Sequence, residues 1–259
     1  MCAKPCMSPT EIESQTGFWL LGGSMAQTTR RTAARHSHDR GQIFGISSGL
    51  MALRTEQAYW LIGPGQFLWL PPFVAHDARS HGAVEGWSLY LDPARCRNLP
   101  ATPFMAQGSA LLNAQAERLA RDTRQSPVSD RTARLAETLW DEFIALPRED
   151  TALPLPRDER LRRVTTILSS DPADRRSQTD WARLAGMSPR SFVRHFSQDT
   201  GIGFGAWRQK LRILNARERL ARGERVTQVA LAVGYESQGA FAAAFKALTG
   251  MSPGRYPSS

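Results

Sequence analysis

The sequence predicts a multidomain α+β chain: a β-rich first part, a helical connector, and an all-α last part. Three observations carry this. Short apolar or alternating runs broken by turn formers fill the first hundred residues. Apolar residues then switch to three- and four-residue spacing. Beyond residue 157 one short helix–turn–helix pattern occurs twice, in a segment that holds all the excess positive charge. The boundaries read from these shifts are 1–105, 106–156 and 157–259.

In the first part the strand-like runs are Phe18–Leu21, Gln42–Ile46, Gly49–Leu53, Ala58–Ile62, Gln66–Leu70 and Gly86–Leu91. Gly63-Pro64-Gly65, Pro71-Pro72 and Gly82 punctuate them. Many short strands at close spacing suggest a sandwich or small barrel.

Two amphipathic helices follow, over Ser109–Asp122 and Arg131–Leu146. In the second, Leu135, Leu139 and Phe143 form one stripe, with Ala136, Trp140 and Ile144 beside it. Such a stripe either packs on its own domain or forms the seam of a homodimer. The segment from Pro147 to Pro156 carries three prolines and several charges, and reads as an exposed linker.

The last part is a run of capped helices. Asp158–Ser170 comes first, then Thr179–Ala185 with Thr179 as its candidate cap. Ser188 caps the next helix, and Pro189 at its first position costs no hydrogen bond. Gly201 suits a left-handed stop. A long helix spans Phe204 to Ala221, ending near Gly223. Thr227–Val233 and Ser237–Leu248 follow, with Gly250 as stop and Ser252-Pro253 opening a final turn.

The repeat lies within these helices. The first copy is Ala182-x-x-Ala185-Gly186, Phe192-x-x-x-Phe196, Thr200-Gly201. The second is Ala230-x-x-Val233-Gly234, Phe241-x-x-x-Phe245, Thr249-Gly250. Small residues let the first helix of each pair lie close to the second, glycine permits the sharp turn, and phenylalanines four apart share one face. If that face is buried, Arg190 and Arg194 point outward, because they lie roughly 200° around the helix from Phe192 and Phe196. Arginine grips guanine O6 and N7 with two hydrogen bonds, and Val193 beside the pair suits a thymine methyl. Ser188, at the helix start, is placed for a backbone phosphate.

The outward face of the second copy holds Ser237, Gln238, Gly239, Ala242, Ala243 and Lys246. Gln238 has the amide geometry for adenine, and Lys246 suits phosphate. The expectation is that the first copy reads sequence and the second adds backbone affinity. The long helix between them, roughly 18 residues at 1.5 Å each, spans about 27 Å, near the 34 Å between successive major-groove faces. Its Arg208, Lys210, Arg212, Arg217 and Arg219 are read as mostly solvated, some within reach of phosphate.

Charge agrees with double-stranded DNA as the partner. From Arg157 onward there are 18 Lys+Arg against 9 Asp+Glu, whereas the first 156 residues hold 15 of each. A basic part joined to a neutral one points to a polyanion partner for the basic part alone. Cys2, Cys6 and Cys96 form neither a zinc-ligand pattern nor an even disulfide set, and read as free thiols of a reducing compartment. With no membrane-length apolar run and no signal-peptide core, the expected location is the cytoplasm, without a membrane partner.

The residues from about Asp158 to Tyr256 resemble the AraC/XylS family of bacterial transcriptional regulators. The most specific stretch is Val229 to Tyr256, with its Gly-Tyr-x-Ser…Phe-x-x-x-Phe-Lys…Gly-x-Ser-Pro-x-x-Tyr pattern. The resemblance implies seven helices with two helix-turn-helix units joined by the long helix. It implies base contacts at Arg190, Val193 and Arg194, and at Gln238, Gly239 and Ala243. RNA polymerase and a second copy of the chain are further partners to test. The first part looks like a cupin-type barrel, through His36-x-His38-x-x-x-Gln42 and Gly65-x5-Pro71-x-Phe73-x-x-His76, with Phe73 where glycine is more usual.

That likeness puts His36, His38, Gln42 and His76 where metal-binding cupins place ligands. Three readings of these residues stand side by side: a divalent metal site, with Gln42 in place of the usual glutamate; an effector pocket, with Phe44, Trp69 and Trp87 as apolar walls; and plain hydrogen-bonded barrel residues. The leading expectation is a regulator controlled by a small-molecule effector, not an enzyme. The rivals are a metal-dependent cupin oxygenase or isomerase with a DNA-binding tail, and a DNA-binding protein that senses nothing. A methyl-acceptor repair role requires a reactive cysteine, and Cys96, between Arg95 and Arg97, lacks clear activating neighbours.

Overall fold

The computed structural model describes residues 17–124, 127–149 and 151–256. They form two compact units: 17–55 with 60–152, and 56–59 with 153–256.

The first unit runs β1 (Leu20–Gln27), β2 (Thr32–His36), β3 (Gly41–Ser48), β4 (Met51–Thr55), β5 (Ala58–Ile62), β6 (Gln66–Leu70), β7 (His76–Ser80) and β8 (Val84–Leu91). A short α1 (Pro93–Cys96), β9 (Phe104–Gln107), α2 (Ala110–Asp122), α3 (Asp130–Ala145) and β10 (Arg148–Glu149) complete it. One sheet has the order β1-β8-β3-β6-β9-β10, and the other includes β5-β4-β7-β2. The strand pairs are antiparallel among the described residues, with one isolated parallel bridge between Ile46 and Pro64.

The register of the larger sheet sorts its side chains. Gln42 pairs with Leu70 and Tyr90, and Phe44 with Leu68 and Ser88, so these six share one face. Ile43, Trp69, Leu89, Gly45, Phe67 and Trp87 take the opposite face. The second set packs with Leu112, Ala116 and Leu119 of α2 and Ala136, Leu139, Trp140 and Phe143 of α3 in one core. The helices expected as a connector are thus the outer layer of the β unit. Ser109 and Ser129 cap them by accepting from Leu112 and Thr132. Of the two readings of the α3 stripe, packing on its own unit is the one seen: Leu139 and Phe143 are buried there, while Ile144 is exposed.

The second unit holds β11 (Leu153–Pro154), α4 (Glu159–Ser170), α5 (Gln178–Leu184), α6 (Pro189–Thr200), α7 (Phe204–Ala221), α8 (Val226–Ala232), α9 (Gln238–Thr249) and a last 3-10 turn (Pro253–Arg255). Leu153 is buried, and β11 pairs with Tyr59 and Ala58, the start of β5 that belongs to this unit, so the stretch read as exposed linker contains structure. The Trp207 indole donates to the Pro154 carbonyl at 2.6 Å. α5 starts earlier than expected. Ser177, not Thr179, is its cap, because Asp180 closes a capping box with Ser177.

Candidate nucleic-acid interface and histidine cluster

In the second unit α5–α6 and α8–α9 form two helix-turn-helix pairs, with Gly186 and Gly234 at φ +64° and +84° in the turns. Both second helices are built alike. The side chains of Ser188 and Ser237 accept from the backbone N–H of Ser191 and Ala240. Gly201 and Gly250 end the helices in the left-handed conformation. Phe192, Phe196, Phe241 and Phe245 are all 0% exposed. Phe196 meets Phe204 and Trp207 edge-on, at ring-centroid distances of 5.1 and 5.7 Å. Phe245 meets Tyr256, whose hydroxyl accepts from Arg217 at 2.9 Å. The terminal Ser-Pro-x-x-Tyr pattern is therefore a lid on the second aromatic pair.

With the phenylalanines inward, Ser188, Arg190, Val193 and Arg194 are exposed, as are Ser237, Gln238, Gly239, Ala243 and Lys246. Ala242 is half-buried. A Cβ added to Gly239 meets nothing within 4 Å, so that surface is open as well as apolar. Arg194 makes a contact of 3.4 Å with the His195 ring, too long to hold the guanidinium firmly.

The arginines of α7 are not mainly solvated, as the sequence suggested. Arg208 donates to the carbonyls of Asp174 and Arg176, Arg212 to that of Pro172 at 3.0 Å, and Arg219 to Glu224 at 2.8 Å. They tie the long helix to neighbouring turns. For Arg208 and Arg212, position within a helix does not reveal this, because their acceptors are main-chain oxygens more than 30 residues away.

In the first unit β2, the loop after it and β7 bring His36, His38 and His76 together. One ring nitrogen of each lies within 4.8 Å of the others. His36 and His76 are register partners across β2 and β7. His38 and His76 are buried, and His36 is half-buried. Every Nδ1 faces a backbone carbonyl: Ala34 at 2.8 Å, Arg40 at 2.6 Å and Val74 at 2.8 Å. The His38 Nε2 faces Gln42 Oε1 at 3.2 Å. The Gln42 amide N–H groups donate to Ser88 Oγ at 3.0 Å and Tyr90 OH at 3.3 Å. Burial lowers the His76 pKa to about 4 and lowers that of His38 as well, against the backbone hydrogen bonds, which raise them.

Of the expected apolar walls, Phe44 shares the Gln42 face, whereas Trp69 and Trp87 lie on the opposite face in the helical core. Ser88 and Tyr90 belong to the cluster and went unnoticed in the sequence. Parity along β8 was the signal that finds them. Cys96 is buried and its thiol is pushed up by burial, which disfavours thiolate. Its neighbour Arg95 is engaged by Glu137 and lies over Trp19. Cys2 and Cys6 lie outside the described residues.

A two-sheet β unit joined to paired helix-turn-helix motifs with outward arginines defines a DNA-binding transcriptional regulator with an N-terminal ligand-binding part. Comparison with known proteins agrees. Residues 22–163 match the AraC-like ligand binding domain and residues 181–258 a helix-turn-helix domain. The chain belongs to the AraC family of transcriptional regulators. It is 29% identical to the HTH-type transcriptional regulator NimR of Escherichia coli, over 94% of this chain and 88% of that one. It is 35% identical to the HTH-type transcriptional regulator RipA of Corynebacterium diphtheriae, over 48% of this chain and 38% of the other. Among solved structures, unsaturated fatty acid bound ToxT from Vibrio cholerae aligns over 93% of this chain and 96% of its own, at 13% identity and TM-score 0.39. No helix among the described residues is long and apolar enough to cross a membrane.

Proposed function

We propose that the first helix-turn-helix unit reads the operator sequence through Arg190, Val193 and Arg194, with Ser188 on phosphate. The second unit docks through Ser237, Gln238, Gly239 and Ala243 and holds phosphate with Lys246. One observation carries this reading: Phe192 and Phe196 are fully buried, and Arg190 and Arg194 are exposed. Guanidiniums held outward on the N-terminal half of a capped helix match how major-groove readers present themselves. The first unit acts as the sensor, binding a small effector at the face that carries Phe44, Gln42 and the three histidines. Effector binding counts only insofar as it favours one arrangement of the chain over another. The protein works by binding, in the cytoplasm, and RNA polymerase is the partner through which it acts on transcription. A homodimer of it uses surface other than the α3 stripe, such as exposed Leu111 and Ile144.

Selection of bound sites from random duplexes, at fixed salt, tests the DNA part. Arg194→Ala is expected to relax base preference by about 1–3 kcal/mol at one position, and Gln238→Ala by less. Greater loss with Gln238→Ala would reverse the assignment. Footprints beside the protein's own gene, with and without small molecules, test the sensor.

A further inference from the structure

We infer that the histidine cluster holds a divalent transition metal together with an organic carboxylate, the anion supplying the charge that the protein's own ligands lack. This rests on the sensor reading above and names the chemistry of its ligand.

The metal follows from how the imidazoles are held. All three Nδ1 atoms face backbone carbonyls, at 2.6–2.8 Å. That places the proton on Nδ1 and the lone pair on Nε2, the arrangement found around metal-bound histidine. Neither His36 nor His76 has a hydrogen-bond partner at Nε2 among the described residues. The fourth polar atom is Gln42 Oε1, another acceptor, beside the His38 Nε2. Lone pairs gathered in a mostly buried space repel unless a cation lies among them. Nitrogens each about 2.1 Å from one ion are at most about 4.2 Å apart. The observed limit of 4.8 Å is within a small side-chain rotation of that closure.

The anion follows from what is missing. The cluster contains no Asp or Glu. Asp77, next to His76, is paired with Arg54 at 3.1 Å. Asp39, next to His38, is exposed, so three imidazoles and an amide bring a dication no buried counter-charge in a site where His38 and His76 are 5% and 3% exposed. A buried charge without a counter-charge is costly, and three protein nitrogens leave coordination positions open. A carboxylate answers both.

Phe73 indicates the rest of the ligand. It is the one non-glycine residue with positive φ among those described, at +63°, and it is 72% exposed. Its N–H donates to the His38 carbonyl at 2.8 Å, so its backbone borders the cluster. A strained aromatic in water returns nothing to the fold, and such strain collects at ligand sites. Covering the carbon part of a bound anion is the return.

The test uses the full chain, stripped with chelator and loaded with Co2+, whose visible absorption reports its ligands. One equivalent should bind, and His36→Ala or His76→Ala should each weaken it at least about tenfold. Acetate and benzoate should shift the absorption, benzoate at lower concentration. Phe73→Ala should keep Co2+ and lose the preference for benzoate. Gln42→Glu should bind Co2+ roughly tenfold more tightly and lose the response to both anions. A gain in affinity cannot come from misfolding, so this variant protects the test. Full Co2+ affinity in the histidine variants overturns the metal site. An undiminished anion response in Gln42→Glu overturns the carboxylate, and an unchanged benzoate preference in Phe73→Ala overturns the role of the ring. If the spectral shift persists while the DNA footprint ignores Co2+ and benzoate, the sensor reading fails and the metal site stands.

Discussion

The outward arginines depend on the inward phenylalanines, and two substitutions two residues apart separate the roles. Phe196→Ala deletes a ring with 0% exposure that touches Phe192, Phe204 and Trp207 at centroid distances of 5.9, 5.1 and 5.7 Å. Little around it can collapse into the gap, because the neighbours are themselves large rings. The expected loss is about 3–5 kcal/mol, set against a total of roughly 5–15 kcal/mol for an ordinary domain. Arg194→Ala removes an exposed side chain with one long contact, and should change stability by no more than about 0.5 kcal/mol. On DNA the order inverts. Arg194→Ala should leave folding alone and lose roughly 5- to 150-fold in preference for the selected site over a scrambled duplex, the equivalent of about 1–3 kcal/mol. Denaturant unfolding followed by far-ultraviolet circular dichroism reads the first quantity, and competition binding at fixed salt reads the second. Equal destabilisation by the two substitutions, or an Arg194→Ala protein with full discrimination, refutes the inward–outward argument.

The turn glycines should differ: Gly186→Ala meets only the left-handed strain of about 1–2 kcal/mol, whereas Gly234→Ala also brings its Cβ to 2.8 Å from the Ala173 Cα and should cost more in the same unfolding assay. Asp199 accepts from the backbone N–H of both Arg157 and Asp158, at 2.6 and 2.9 Å, so Asp199→Ala should lower stability by about 0.5–2 kcal/mol, as loss of a helix cap does. Acid should weaken the helical unit below about pH 4: the Arg160 side chain lowers the Asp158 pKa to about 2, and Arg176 lowers that of Asp174. Carboxylates depressed on folding contribute above their ordinary pKa of about 3.9 and lose that contribution as pH falls toward 2. Melting curves from pH 5 to 2 should therefore fall more steeply for the parent than for Asp158→Asn with Asp174→Asn.

Helices were legible because their punctuation is local. Ser188, Pro189 and Gly201 act within four residues of what they cap, and α7 spans the residues its pattern marks. β2, β7 and β9 were not legible. β2 is mostly exposed, β7 is polar for most of its length, and neither alternates apolar with polar. Their pairing is settled by partners well outside any local window, 21 residues away between Thr55 and His76 and 47 between Thr32 and Arg79. The histidines were visible as a set through the likeness to a cupin-type barrel, and the register of β2 and β7 places His36 and His76 opposite each other. Their walls were misjudged at Trp69 and Trp87. Size and apolarity mark a residue as buried, but register decides which of two cores receives it.

The two reading helices share a frame and differ in what it presents, and the difference has an energetic logic. Cap, aromatic pair and glycine stop are the same in α6 and α9, so both should dock with similar shape. On the reading proposed above, α9 brings one amide, one lysine and an open apolar surface, which discriminates poorly among bases. It need not discriminate. Once α6 has found its site, α9 meets DNA as a tethered group, at an effective concentration that converts even weak, unselective contact into added affinity. The eighteen residues of α7 set that tether, and its stiffness depends on Arg208 and Arg212 gripping the carbonyls of Asp174, Arg176 and Pro172 rather than reaching for phosphate. On that reading, arginines that hold the spacing serve recognition alongside those proposed to touch bases. Removing Arg212 should cost affinity at every sequence alike, whereas removing Arg194 costs it at one.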